Sequence, residues 1–242
     1  MRRLIAAVQF MTLLPAGRTP VYEPAGMIQM FPLVGLLLGA VVAGVDAAAA
    51  GLWTVPTAAL IDVALLAVLT GALHIDGLAD TADGLFGHHD RQRALAIMKD
   101  SRVGAMGLTA VCLGLALKWA GIAGIDAHRS LCLVLVPAYA RGAMLFAVRF
   151  LPYGRPDGGT AHPLFAKPLS PSAFWGLFLC LVLSLSGGWW AVRLNLGFAA
   201  ATAAVVLYYR RRIGIVTGDM LGAMVEAVEI ALFLLLSAGG AR

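Results

Sequence analysis

Seven apolar stretches, separated by short segments that hold most of the charge, constrain this chain more than any other feature. They run over 30–50, 57–73, 103–124, 130–151, 172–191, 196–209 and 220–237. A helix needs roughly 20 apolar residues to cross a bilayer, and most of these stretches approach that length; the sixth is the shortest. Hydrophobic residues make up 60% of the 242 and charged residues 13%, about half the usual share of charge. A soluble domain cannot cover that much apolar surface, and a disordered chain would not carry it. The expected fold is all-α: a polytopic membrane helical bundle of about seven transmembrane helices, or six if one stretch drops out. It forms a single membrane-embedded domain over 1–242. Residues 1–15 place Arg2 and Arg3 before an apolar run broken by Gln9 and Thr12. That run is short and lacks a small-residue cleavage site, so it reads as an interfacial helix rather than a signal peptide.

The charge in the connections alternates. One set holds Arg2, Arg3, Arg18, Arg91, Arg93, Lys99, Arg102, Arg155, Lys167, Arg210, Arg211 and Arg212, whereas the other holds Arg129, Arg193 and Arg242. Lys118, Arg141 and Arg149 fall inside apolar stretches. Such a bias places the N-terminus in the cytoplasm and the C-terminus outside. The net charge of +5 then reflects attraction to anionic lipid rather than to nucleic acid. Trp189 and Trp190 would mark the outer interface. Cys112, Cys132 and Cys180 have no metal or disulfide spacing and read as small buried apolar residues. Segments 74–102, 152–171 and 210–219 carry the polar residues and all face the cytoplasm on this topology, so the substrate should be cytoplasmic.

The run His74-Ile75-Asp76-Gly77-Leu78-Ala79-Asp80-Thr81-Ala82-Asp83-Gly84 carries the chemistry. At about 100° per residue, Asp76, Asp80 and Asp83 fall within an arc of about 60°. Three carboxylates on one stripe repel one another unless a positive charge sits among them. Mg²⁺ suits such oxygen ligands, often together with substrate phosphates; a solvated acidic helix end is the plainer reading. His74 lies off the stripe, either as a substrate contact or as an ordinary interfacial histidine. A second stripe, Asp219, Glu226 and Glu229, follows Gly218 and includes Gly222. Ionisable residues so deep in an apolar helix are costly and usually functional. Pairing with Arg141 would instead make them a packing device. Gly222 and Ala223 would let a helix or a phosphate approach closely. Lys99-Asp100-Ser101-Arg102-Val103-Gly104 precedes the third stretch and could hold an anion at a helix start, or simply cap and anchor that helix. Arg210–Arg212 reads as a topology anchor, and Asp46 and Asp62 have no evident partner.

Together, His74-x-Asp76-Gly77-Leu78-Ala79-Asp80-Thr81-x-Asp83-Gly84, Lys99-Asp100-Ser101-Arg102-x-Gly104 and Gly218-Asp219-x-x-Gly222-Ala223 with Glu226 and Glu229 closely resemble the cobalamin synthase family. The weaker Phe10-x-Thr12-x-Leu14-Pro15, Phe31-Pro32-Leu33-Val34-Gly35 and Arg141-Gly142 extend the resemblance over nearly the whole chain. It implies a Mg²⁺-dependent inner-membrane adenosylcobinamide-GDP ribazoletransferase, or adenosylcobalamin 5′-phosphate synthase. Such an enzyme joins adenosylcobinamide-GDP to α-ribazole or its 5′-phosphate and releases GMP. On that reading Asp76, Asp80 and Asp83 hold Mg²⁺, with Asp219 or Glu226 on a second ion. Asp83 is the favoured base, and Asp80 and His74 complete the catalytic group. Lys99, Asp100, Ser101, Arg102, Gly104, Arg141, Gly218, Gly222 and Glu229 contact substrate. The expected partners are those substrates, the lipid bilayer, a second copy of the chain and other cobalamin-pathway enzymes, with no nucleic acid. A CDP-alcohol phosphotransferase is the nearest rival, but its Ala-Arg is missing after Asp76-Gly77. A prenyltransferase has different acidic spacing. A cation- or proton-coupled transporter would place its acids near the midplane.

Overall fold

The computed structural model describes residues 2–17, 24–87, 89–155 and 158–238. Arg18 and Arg242 of the charge pattern lie outside them. The described chain is helical: α1 (Arg2–Met11), α2 (Pro24–Met27), α3 (Phe31–Ala49), α4 (Val55–Leu69), α5 (Leu73–Leu85), α6 (Arg91–Ile97), α7 (Ala105–Ala123), α8 (Arg129–Phe150), α9 (Trp175–Ser184), α10 (Trp189–Arg212) and α11 (Gly218–Ser237). Five of these helices are long and apolar enough to cross a membrane, and the count rises to six if the bent pair α4–α5 is one span. The expected count of about seven is therefore approximate, and three boundaries explain why.

The stretch 57–73 does not run straight. Gly71 and Ala72 both adopt left-handed backbone, with φ of 59° and 58°, and α5 leaves α4 at 88°. The stretch 172–191 breaks near Gly188, whose φ is 59°, leaving α9 short. The sixth stretch, by contrast, belongs to a 24-residue helix. Its polar head is satisfied locally: Asn195 Nδ2 donates to Ser184 Oγ and Ala191 O, and Arg193 donates to the carbonyls of Leu235 and Ala238. Trp190 is buried against His128 and only Trp189 is exposed. Cys132 and Cys180 are buried, but Cys112 lies on the exposed face of α7.

Small residues set the packing. A Cβ on Gly39 would overlap the backbone of Leu133 and Val134, and one on Gly35 that of Pro137 and Ala138, so α3 and α8 cross at backbone contact. α11 is enclosed by α5, α7, α8 and α10. α1 lays Ala6, Ala7, Val8 and Met11 on the bundle, and Phe10 stacks on Phe31 with centroids 6.0 Å apart. Asp46 and Asp62, left without partners by spacing alone, both bind Arg129 at the start of α8, at 2.7 and 3.0 Å. Arg212 is more than an anchor: it donates to the carbonyl of Leu85, the last residue of α5, and to those of Gly87 and His89 just beyond, where a helix end leaves acceptors unpaired.

Candidate active site

The acidic helix α5 lies antiparallel against the start of α11. A Cβ on Gly77 would sit 2.5 Å from the Asp219 carbonyl oxygen, and one on Gly222 3.3 Å from His74 Cα. The close approach foreseen at Gly222 is therefore made by a helix, and it brings the two acidic motifs together. Gly218, at the first residue of α11, borders with Gly222 a cavity of about 60 Å³ that His74, Asp76 and Asp219 also line.

The four aspartates there divide sharply. Asp83 is fully engaged: its carboxylate accepts from Gly104 N at 2.7 Å and Gly107 N at 2.8 Å. Glycine at both positions leaves room for that carboxylate, which a Cβ on either would strike unless it shifted. Two of the N–H groups opening α7 are thus occupied by Asp83. Of the anion site expected at Ser101, Arg102 and Gly104, the Gly104 N–H is engaged by Asp83. Asp219 pairs with Arg155 at 2.6 Å and accepts from Thr217 Oγ1 at 3.3 Å. Asp76 and Asp80 accept no hydrogen bond and form no ion pair among the described residues. Asp80 senses the negative charges of Asp76, Asp219 and Asp83, opposed by Arg155. Two uncommitted carboxylates facing a third are a hard-oxygen donor set suited to a divalent cation. As arranged, no three acidic, histidine or cysteine side chains among the described residues converge tightly enough to form a finished metal site.

The loop before α7 is exposed. Arg102 folds back on Asp100, with Nη2 2.6 Å from Oδ2, and this hydrogen bonding holds the Asp100 carboxyl down at about 2. Lys99 and Ser101 lie on the same loop, and among the described residues neither hydrogen-bonds to or forms an ion pair with the acidic stripe. Arg155 reaches the site because residues 152–154 pair with the strand-like turn before α11: Gly154 N donates to Val216 O at 2.9 Å and Val216 N to Pro152 O at 3.0 Å. Tyr153 lies on this tie. Burial pushes its hydroxyl up, and the charges of Arg155 and Asp219 act on it with opposite sign.

Deeper along α11 the charges are sealed. Lys118 of α7 donates to Glu226 and, at 2.8 Å, to Glu229; Arg141 of α8 donates to Glu229 at 2.8 Å and to Pro137 O at 3.0 Å. All four side chains are at most 6% exposed. The pairing anticipated between Arg141 and this stripe falls on Glu229, while Glu226 takes Lys118. Glu226 is thus engaged by a lysine and is not grouped with the aspartates. His74 is buried above this set, its Nε2 without a hydrogen-bond partner among the described residues, as is Arg141 Nε.

Sequence reasoning missed Arg155 and Lys118. Lys118 could have been flagged, since a lysine within an apolar stretch demands a partner; nothing in its spacing points to Glu226, 108 residues away. Arg155 gave no comparable signal.

Residues 3–237 match the family model described as cobalamin-5-phosphate synthase. The adenosylcobinamide-GDP ribazoletransferase of Syntrophobacter fumaroxidans is 41% identical over 240 residues, covering 96% of this chain and 95% of that protein. Those of Rhizobium etli and Pseudomonas putida are 39% and 37% identical, covering 85% and 94% of this chain and 83% and 95% of theirs. No solved structure matches the chain.

Proposed function

Because the chain belongs to the cobalamin-5-phosphate synthase family, we propose that it transfers the adenosylcobinamide-phosphate group of adenosylcobinamide-GDP to α-ribazole or its 5′-phosphate, releasing GMP. The hydroxyl oxygen of the ribazole attacks the phosphorus next to the cobinamide. The bond from that phosphorus to the bridging oxygen breaks, and its electrons leave with GMP. The hydroxyl proton passes to a carboxylate. Such a reaction asks the protein chiefly to position two substrates and to balance the charge of a diphosphate.

One observation carries this reading: among the described residues Asp76 and Asp80 stand unpaired beside Asp219, while Asp83 and Asp219 are engaged by other groups. Asp76 and Asp80, with Asp219 beside them and substrate phosphate oxygens completing the set, would hold Mg²⁺, which when bound would supply positive charge to the diphosphate oxygens. Asp83, fixed by two N–H groups, sets the spacing between α5 and α7. Both of its carboxylate oxygens are occupied, whereas Asp80 accepts no hydrogen bond among the described residues, so Asp80 takes the proton. Arg155 holds Asp219 in place and adds a cation at the phosphate end. The same end of the bundle bears most of the basic loop residues, which supports an inner-membrane protein whose active site faces the cytoplasm.

Purified protein incubated with adenosylcobinamide-GDP and α-ribazole should release GMP with Mg²⁺ and stop on chelation. Movement of substrate across vesicles without turnover would instead support the transporter reading.

A further inference from the structure

Beside the acidic site the chain forms a second, larger opening. A cleft of about 500 Å³ lies between the end of α8 and segment 152–169, lined by Arg149, Tyr153, His162, Phe165, Lys167 and Leu169 among others. Its size falls within the roughly 300–1,000 Å³ of small-molecule sites. No carboxylate is among the described residues lining it. Arg149 and Lys167 form no ion pair among the described residues; Arg149 only overlies the Phe150 ring, 5.9 Å from its centroid. Tyr153 provides an aromatic wall, with ring centroids 4.9 Å from Phe165 and 5.4 Å from His162. Gly159, with φ of 133°, lets the loop pass the Tyr153 hydroxyl, where a Cβ would sit 2.6 Å away. Unpaired cations over an aromatic wall fit a ligand with a phosphate at one end and a flat ring at the other.

Tyr153 joins this cleft to the chemistry. It senses both Arg155 and Asp219, and its strand-like pairing with Val216 leads directly into α11. We propose that the cleft binds an aromatic nucleoside monophosphate unit, with Arg149 and Lys167 on the phosphate and Tyr153 against the ring. This deepens the transferase reading and rests on it. Two substrates contain such a unit: the phosphorylated ribazole acceptor and the GMP half of the donor.

Binding should be measured by calorimetry on the purified full chain, in detergent with EDTA so that no metal bridge contributes. The probes are GMP and α-ribazole 5′-phosphate, each beside its unphosphorylated nucleoside. The variant Arg149→Gln/Lys167→Gln should weaken one phosphorylated probe by about tenfold or more, as loss of a charge-assisted contact implies, and leave both nucleosides unaffected. The probe that weakens identifies the source. Tyr153→Leu should weaken the same probe and its nucleoside together, and Lys167→Gln alone serves if the double variant fails to fold. Wild-type protein that binds neither phosphate, or a double variant that binds both unchanged, overturns the proposal. So does a variant defect seen only as reduced association with anionic vesicles, which would make the cleft a lipid-headgroup site. Because binding is read without turnover, a wild type that binds GMP but never releases it from donor would sink the transferase reading and not the cleft.

Discussion

Asp219 and Glu226 stand about two turns apart on one helix, yet their surroundings are opposite. Around Glu226 and Glu229 the protein supplies its own counter-charges: Lys118 and Arg141 balance two carboxylates in a space closed to solvent. Around Asp219 it supplies Arg155, and among the described residues nothing pairs with Asp76 or Asp80. A carboxylate neutralised from within can hold helices together but has little left to offer a ligand. One left unbalanced at an open edge waits for a cation or substrate. The difference separates architecture from chemistry among acids that look alike in sequence.

The comparison breaks most forcefully at Lys118. Lys118→Met should leave two buried glutamates with a single arginine, at a cost of about 3–5 kcal/mol, read as a large fall in thermal unfolding temperature in detergent. Glu229→Gln should cost more than Glu226→Gln, since Glu229 serves both cations. Lys118→Met/Glu226→Gln should recover much of the loss by restoring neutrality. If Glu226→Gln were fully stable yet inactive, that residue would belong with the chemistry.

At the open end the pattern should invert. Asp80→Asn should leave unfolding unchanged and lower GMP release by about 10²–10³-fold, the scale of losing one transition-state interaction. An unfolding shift with intact turnover would make the stripe structural. Arg155→Gln should cost about tenfold in rate, as removal of one charged hydrogen bond suggests, with its effect confined to steady-state kinetics. Asp100 should do least. Its lowered carboxyl, at about 2, stays ionised as pH falls until near that value. Its pairing with Arg102 is therefore constant from pH 5 to 8, and Asp100→Asn should not move the pH profile of GMP release.

Much of this was legible beforehand. Apolar length announced the spanning helices, and helical spacing placed Asp76, Asp80 and Asp83 on one face. What spacing could not supply was the identity of partners between helices. Asp83 looked like its neighbours on the stripe until the opening turn of α7 claimed it. Arg193 and Asn195 shortened the sixth apolar stretch, because hydropathy cannot see that Arg193 reaches carbonyls at the end of α11. The bend at Gly71 and Ala72 depends on backbone geometry, and an alanine in left-handed conformation leaves no trace in a sequence.

The buried charge cluster also imposes an order in time. Lys118 is synthesised 108 residues before Glu226, an interval of roughly 5–20 s at ordinary rates of translation. Throughout it α7 must reside in or beside the insertion machinery with its ammonium group unanswered, at a cost that would reach about 2.5–3.5 kcal/mol at a helix centre. Lying near the end of α7, Lys118 can meet that cost by snorkelling to the interface. Only with α11 in place can the lysine turn inward onto the glutamates, so α11 ties down helices made before it. The charge balance of this bundle is therefore set late, when α11 joins the helices already inserted.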